Sequence, residues 1–405
     1  MVYSFQNNKG MTLIEMLMVV TTISILFASF FYFWNTMDIF RKSRDSKRIN
    51  DLQLLDTALK TLLSTERNIN LGEENVIYTS LPYLSSTCGF YSLIPLPSSY
   101  SYRCQTLQNY LKVDGNGWLP VNFTLGKILR VSVLPIDPLN NKAYFYAYQV
   151  RQGRYKLTAR FENQVNISKM ANDGGFEPTL YEVGSDLFIP SPHSGLVGYW
   201  SFDEGTGTIA YDLSGYGNNG TLNNFNFTAT SGWTTGKIGK ALIFDGVDDY
   251  VSLGQQPFLF NGFTFSVWVK IPSPTPSGYT NIFNNNQFFI RKSNSTEGNY
   301  WDAFVTLSDN SVEPRTRGTV AQADAWTHLV VVWFKESFKI YVDSELKGNA
   351  VRTGNLTSTT VTAQIGRGQQ TNTLLNPFLG IIDEVRIYSK ALSSAEIKSL
   401  YESTK

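Results

Sequence analysis

Glu15 is the one charge in an otherwise apolar run from Met11 to Trp34. A carboxylate in such a run is costly to bury in lipid unless a cation meets it, so its presence marks a function. Cys88 and Cys104 lie in a Ser-, Tyr- and Pro-rich segment. In an oxidising compartment they would close a loop worth ~3 kcal/mol, and in the cytosol they would be two thiols. The chain has two histidines, His193 and His328. A His-based zinc centre therefore has too few ligands, and a Ser-His-Asp triad would have to use one of the two. Acidic residues group at Asp245, Asp248 and Asp249 and again at Asp383 and Glu384. Paired carboxylates of this kind are what glycoside hydrolysis requires.

A chain of 405 residues suggests two or three domains. Aromatics reach 14% against 17% charged residues, a balance that fits β-rich extracellular modules and not a disordered chain. A formal net charge of +1 gives the whole chain no field that would favour nucleic acid.

As a helix, the run from Met11 to Trp34 spans about 36 Å, enough to cross a bilayer with some tilt. No Ala-x-Ala cleavage site follows it, so it reads as a retained anchor whose polar leader is cut in front of it. The residues Lys9-Gly10-Met11-Thr12-Leu13-Ile14-Glu15 resemble the type IV prepilin and type II pseudopilin leader junction. There a basic residue and Gly precede a hydrophobic residue, and Glu stands fifth in the mature chain. The resemblance implies cleavage after Gly10 by a prepilin peptidase and N-methylation of Met11. It also implies that Glu15 meets the Met11 amine of a neighbouring subunit in a filament. Arg41, Lys42, Arg44, Lys47 and Arg48 follow the run, and the positive-inside rule would place that end in the cytoplasm. The leader junction is the more specific signal and is followed here.

Ile49, Leu52, Leu55, Leu59 and Leu62 recur at helical spacing, with Arg48, Asp51, Asp56 and Lys60 expected on the solvated side. One helix from Met11 to about Arg67 would be about 85 Å long. Residues 73–118 read as turn-rich, and 127–135, 142–150 and 154–162 read as strands of an antiparallel meander. This order resembles the globular domain of major pseudopilins.

Residues 182–194, with Gly184, Pro190 and Pro192, read as a semi-extended linker. Beyond it, Phe263–Lys270 and Phe338–Val342 alternate as strands, which points to a β-sandwich. Gly198-Tyr199-Trp200, Asp212-Leu213-Ser214-Gly215, Ala241-Leu242-Ile243-Phe244-Asp245-Gly246 and Gly380-Ile381-Ile382-Asp383-Glu384-Val385-Arg386 occur in order. Residues 195–402 thereby resemble the laminin G-like branch of the concanavalin A-like lectin and glucanase superfamily. Ser393-Ser394-Ala395-Glu396 is a capping box for a short terminal helix.

The expected fold is an α+β pilin-like domain, a long N-terminal helix plus an antiparallel sheet, followed by an all-β jelly-roll sandwich. The expected boundaries are a leader at 1–10, a membrane half-helix at 11–35, a globular domain at 36–181, the linker, and the jelly roll at 195–405. The Glu-x-Asp-x-(x)-Glu strand motif of glucanases on this fold is missing, so no enzyme activity is expected, and the acidic groups are assigned to turns and strand starts. Loosely carried over from relatives, Asp212, Asn218 and Asp383 are candidates for a structural calcium. Tyr300 and Trp301 are candidates for stacking on a sugar. The implied function is a minor pilin or pseudopilin that displays a lectin-like domain. Its partners would be other pilin subunits, the prepilin peptidase, the membrane, and a glycan or surface protein, with no nucleic acid. The competing readings are a membrane-tethered carbohydrate-binding protein that never polymerises and a surface glycan hydrolase.

Overall fold

A computed structural model describes residues 12–83, 88–125, 131–163, 166–175, 177–255, 262–308, 315–351, 354, 356–357, 362–368 and 376–405. Side chains are described throughout these except at 26, 28–36, 167–168 and 255. Gly10 and Met11 lie outside the described residues.

The chain opens with one helix, α1 (Leu13–Thr65). Its first half carries exposed Leu13, Ile14, Met16, Leu17, Val20, Ile23 and Phe27. Among the described residues no helix is long and apolar enough to cross a membrane, and the apolar run includes the undescribed side chains just named. In the second half Leu52, Leu55, Leu59 and Leu62 are buried against Trp118, Tyr146, Tyr148, Tyr155 and Leu157. The sheet beneath is formed by β1 (Val76–Pro82), β2 (Ser101–Gln105), β3 (Ala147–Arg151), β4 (Arg154–Ala159) and β5 (Tyr181–Gly184). Its order is β2-β1-β3-β4-β5. A short α2 (Ile167–Ala171) precedes β5.

Several expectations are corrected here. The sheet is mixed, because β1 and β2 pair in parallel. Segment 73–118 supplies two of its strands. Residues 131–135 form no strand, and 127–130 lie outside the described residues. Arg48, expected on the solvated side of α1, is 0% exposed. It donates to Asp137 at 2.6 Å, Asp45 at 2.8 Å and Glu162 at 2.6 Å. Arg44 also pairs with Glu162 at 2.6 Å, and Lys47 pairs with Asp51 at 2.8 Å. The basic run after the apolar segment is thus consumed largely within the globular domain.

The remaining strands are β6 (Leu196–Trp200), β7 (Ile209–Ala210), β8 (Gly220–Asn223), β9 (Gly232–Thr235), β10 (Lys240–Asp245), β11 (Tyr250–Gln255), β12 (Gly262–Lys270) and β13 (Thr280–Asn284). They continue with β14 (Phe288–Lys292), β15 (Tyr300–Val305), β16 (Thr316–Val320), β17 (Thr327–Phe334), β18 (Ser337–Val342), β19 (Glu345–Val351), β20 (Thr362–Ile365) and β21 (Leu379–Tyr388). They form two sheets. The first runs β19-β18-β17-β12-β21-β10-β9, with β6 also on β21, and the second runs β16-β15-β14-β13-β20-β11-β8-β7. Phe263, Phe265, Val267 and Val269 face inward from β12 to meet Phe283, Phe288 and Ile290. The Phe263 and Phe288 rings stack at 4.2 Å.

The outer face of the first sheet is covered. Terminal helix α3 (Ser394–Ser403) carries the capping box expected at Ser393 and Glu396. Its Ile397 and Leu400 pack on Tyr199, Val330, Val332, Tyr341 and Tyr388. The N-terminal domain closes the same side: Glu177 accepts from Ser194 Oγ at 2.9 Å and from the Tyr388 hydroxyl at 3.4 Å, and Ser399 donates to the Pro178 carbonyl. The stretch 182–194 is therefore no free linker. It starts inside β5, and Ile189, Ser191, His193 and Ser194 are buried, because Glu182 is anchored to buried Lys156 at 2.6 Å.

Candidate functional site

Strand pleating sends alternate side chains to opposite faces. In the second sheet Ile290, Ala303, Val305, Ile365, Val251, Leu253 and Leu222 enter the core. Their neighbours form two cross-strand rows on the other face. The register aligns Phe304, Phe289, Asn284, Gln364, Ser252 and Thr221 into one row across β15, β14, β13, β20, β11 and β8. Two residues along the strands, about 7 Å away, lies a second row. It joins Arg317, Asp302, Arg291 and Asn281 at one end and Tyr250 with Asn223 at the other. The helices pack elsewhere, α1 on β4 and β5 and α2 on α3.

The surface is aromatic, amide-bearing and charged. Phe289 and Phe304 stack at 4.6 Å with an 11° interplanar angle. The Arg291 guanidinium lies 4.1 Å from the Tyr279 ring centre and 4.6 Å from that of Phe304. Arg317 lies 4.5 Å over Tyr300. Arg317 donates at 3.0 Å both to Asp302 and to Glu297, and Arg315 pairs with the same two carboxylates. Burial raises the Asp302 carboxyl even against these guanidiniums. At the far end Arg367 lies 3.2 Å over Tyr250 and donates to Gln364 Oε1 at 3.1 Å. Buried Lys292 supports the rim, its ammonium donating to the carbonyls of Pro276, Gly278 and Ser293 and to Asn299 Oδ1. That burial pushes it down to about 8.

The residues singled out from sequence fall as follows. Tyr300 stands at the edge of this face. Trp301 is corrected: it is 1% exposed and belongs to the core, since pleating turns it away from its neighbour Tyr300. Asp212, Asn218 and Asp383 do not form one calcium site. The Asp212 carboxylate accepts backbone N–H groups from Tyr199, Ser214 and Asn218, while the Asn218 amide donates to the Val197 carbonyl. Asp383 accepts from the backbone of Lys237, Ile238 and Glu384. Burial, helped by the Glu384 carboxylate, pushes Asp383 up to about 8. These groups hold turns, and their oxygens are directed at N–H donors. Asp245, Asp248 and Asp249 bring carboxylate oxygens within 4.8 Å of one another, with Asp249 bound to the Asp245 N–H and Ser231. Cys88 and Cys104 form a disulfide with Cα atoms 5.4 Å apart. Glu15 closes a capping box, accepting from the Thr12 N–H at 2.8 Å.

Sequence reasoning passed over Phe289, Arg291, Phe304, Asn284, Gln364 and Arg367. Alternation in Phe288–Lys292 and Tyr300–Val305 was the available signal. Which face of each strand stays open was not, because it depends on what covers the opposite sheet.

Residues 245–398 match the family described as the concanavalin A-like lectin/glucanases superfamily. That part of the C-terminal half is similar to the concanavalin A-like lectin fold, and its two facing sheets form a jelly-roll sandwich. Among solved structures, domain 4 of AbnA, an extracellular arabinanase from Geobacillus stearothermophilus in complex with arabinotriose, is similar at 25% identity. That match covers 51% of this chain and 97% of the other, with a TM-score of 0.40. The binding domain of Paraclostridial Mosquitocidal Protein 1 is similar at 14% identity over 51% of this chain and 52% of the other, with a TM-score of 0.41. A Trypanosoma rangeli sialidase complex is similar at 12% identity over 64% of this chain and 49% of the other, with a TM-score of 0.40. No curated protein matches the chain.

Proposed function

We propose that this chain is a minor pilin or pseudopilin, held in the membrane by the first half of α1, whose jelly roll is displayed outside the cell to bind a glycan. The observation that carries the binding role is the outer face of the second sheet, on which no helix packs among the described residues. Half-buried Phe289, stacked on buried Phe304, gives apolar contact, and Asn284, Ser252 and Thr221 supply donors and acceptors along one line across the strands, with buried Gln364 between them. A few convergent polar groups around apolar surface are what a sugar site needs. The pilin role is supported by the leader junction at Lys9-Gly10-Met11 with Glu15, and by an apolar helical half exposed within the chain.

The role is binding without turnover. A hydrolytic pair needs two carboxyl groups with the scissile bond between them. Here Glu297 and Asp302 share Arg315 and Arg317, which occupy the space between them. The test is a glycan array probed with the full chain in detergent micelles, beside the double variant Phe289→Ala, Asn284→Ala, whose melting temperature checks that it folds. The expected result is retained binding for the wild type, at least a tenfold loss for the variant, and no released sugar. A blank array for the wild type would overturn the glycan role, and released sugar would overturn the non-enzyme role.

A further inference from the structure

Arginine side chains in folded proteins normally find an anion, because the guanidinium offers five donors and no acceptor. On the open face of the second sheet, Arg315 and Arg317 are both paired with Glu297 and Asp302. Arg291 projects from β14 directly opposite Asp302, yet it takes no share of that carboxylate. It makes no ion pair or hydrogen bond through its side chain among the described residues, and its Nε is buried without a partner. The guanidinium is instead boxed by the rings of Tyr279, Phe304 and, at 5.7 Å, Phe289. Among the described residues three guanidiniums thus face two carboxylates at this end, and that of Arg291 is left half-buried beside the stacked phenyl pair.

The other end repeats the pattern. Arg367 lies against Tyr250, and its one hydrogen bond goes to the neutral Gln364 amide; it has no carboxylate partner among the described residues. Strands β14, β13 and β20 are successive neighbours, and Arg367 follows β20 by two residues, so the strands that bring in Arg291 and Arg367 lie two strand spacings apart, about 10 Å across the sheet. Because β14 and β20 each pair antiparallel with β13, they run parallel. Arg291 and Arg367 therefore lie on the same side of the row formed by Phe289, Asn284 and Gln364. Two half-buried guanidiniums without a carboxylate partner among the described residues, flanking one hydrogen-bonding row, form a pattern that a neutral sugar leaves unsatisfied. A planar guanidinium fork matches a carboxylate.

We infer that the face takes an acidic polysaccharide, with Arg291 and Arg367 each holding a sugar carboxylate and half-buried Phe289 giving apolar contact to a ring. The inference rests on the glycan-binding role proposed above and names the chemical class of its ligand. Burial lowers the proton affinity of Arg291, the direction expected where an anion would restore the lost solvation.

The experiment uses the full chain in micelles and two polymers of equal length, polygalacturonate and its fully methyl-esterified form, with hyaluronate and carboxyl-reduced hyaluronate as a second pair. Affinity is measured at low and physiological salt. Each acid form should bind at least tenfold more tightly than its neutral partner, and the preference should shrink with salt. Arg291→Gln should lose about tenfold to a hundredfold on the acid forms, as one charge-assisted bond predicts, and a clearly smaller factor on the neutral forms. Arg291→Lys, which keeps the charge, should retain part of the preference, and melting temperatures check that both variants fold. Equal binding of acid and neutral forms would overturn the acidic class and leave the glycan role standing. Binding to neither form would overturn both. An acid preference undiminished in Arg291→Gln and in Arg367→Gln would remove these residues from the account.

Discussion

Arg48 shows how much a single side chain decides in the N-terminal domain. Its guanidinium is fully buried among Asp45, Asp137 and Glu162, and removing it would leave carboxylates unpaired in a low-dielectric interior. Arg48→Met should therefore cost about 3–5 kcal/mol, read as a loss of chemical stability in urea, whereas Lys60→Met at an exposed pair with Asp56 should be near neutral. Buried titratable groups in the jelly roll make a second test with opposite signs. Burial first, then the Arg386 charge, holds His328 down to about 3, while Asp383 is pushed up to about 8. Between about 3 and 6.5 the unfolded chain binds a proton at His328 that the folded chain does not, so this group's contribution to stability falls as pH drops through that window. For Asp383 the folded chain holds the extra proton from about 3.9 to 8, so its contribution falls as pH rises. Relative to wild type, His328→Gln should gain stability from pH 6.5 to 4, and Asp383→Asn should gain from pH 4 to 8, in melts across that range. Parallel curves for all three proteins would contradict both assignments. Neither burial was legible in the sequence: His328 stands in a strand whose outer face looks solvated until Tyr401 of α3 is laid beside it, and Asp383 is closed off by the Lys237–Ile238 backbone, far away in sequence.

At the scale of elements, the strongest periodicities were legible and the non-local pairings were not. The leucine spacing of α1, the alternation of β12 and the capping box of α3 are local patterns, and the structure holds all three. Strand β1 escaped because Val76–Leu81 is buried on both faces and shows no alternation. β2 escaped because it is an edge strand whose partner lies across a long loop. The disulfide spans that loop from Cys88 to β2. Replacing both cysteines with serine should cost about 3 kcal/mol by freeing the unfolded loop, measured as the shift in the unfolding midpoint. An unchanged midpoint would mean that the β1–β2 contact needs no staple. Ser393→Ala should cost about 1 kcal/mol through the lost N-cap. A larger loss would show that Glu396, which also bonds Lys390 at 2.7 Å, is displaced with it.

At the scale of the whole molecule, the arrangement of covers defines what the chain offers to a partner. α3 and the N-terminal domain close the first sheet, whereas among the described residues no helix packs on the outer rows of the second. The sequence motifs identified the jelly roll, but they could not show which sheet would be closed, because that follows from contacts between residues as distant as Pro178 and Ser399. The same arrangement joins the head firmly to the α1 stalk, so whatever carries α1 carries the open face with it. In the proposed filament, Glu15→Ala should insert normally but fall at least several-fold in sheared filaments, since a neighbour's Met11 amine loses its partner. Wild-type levels of the variant in those filaments would remove Glu15 from assembly. The claim that ties head to stalk is processing at the leader junction. Its most direct test is the mass of the N-terminus in protein isolated from the cells that make it. The account predicts a mature chain that begins at N-methylated Met11 and an uncut precursor for Gly10→Val; an intact Met1 terminus in the wild-type protein would contradict it.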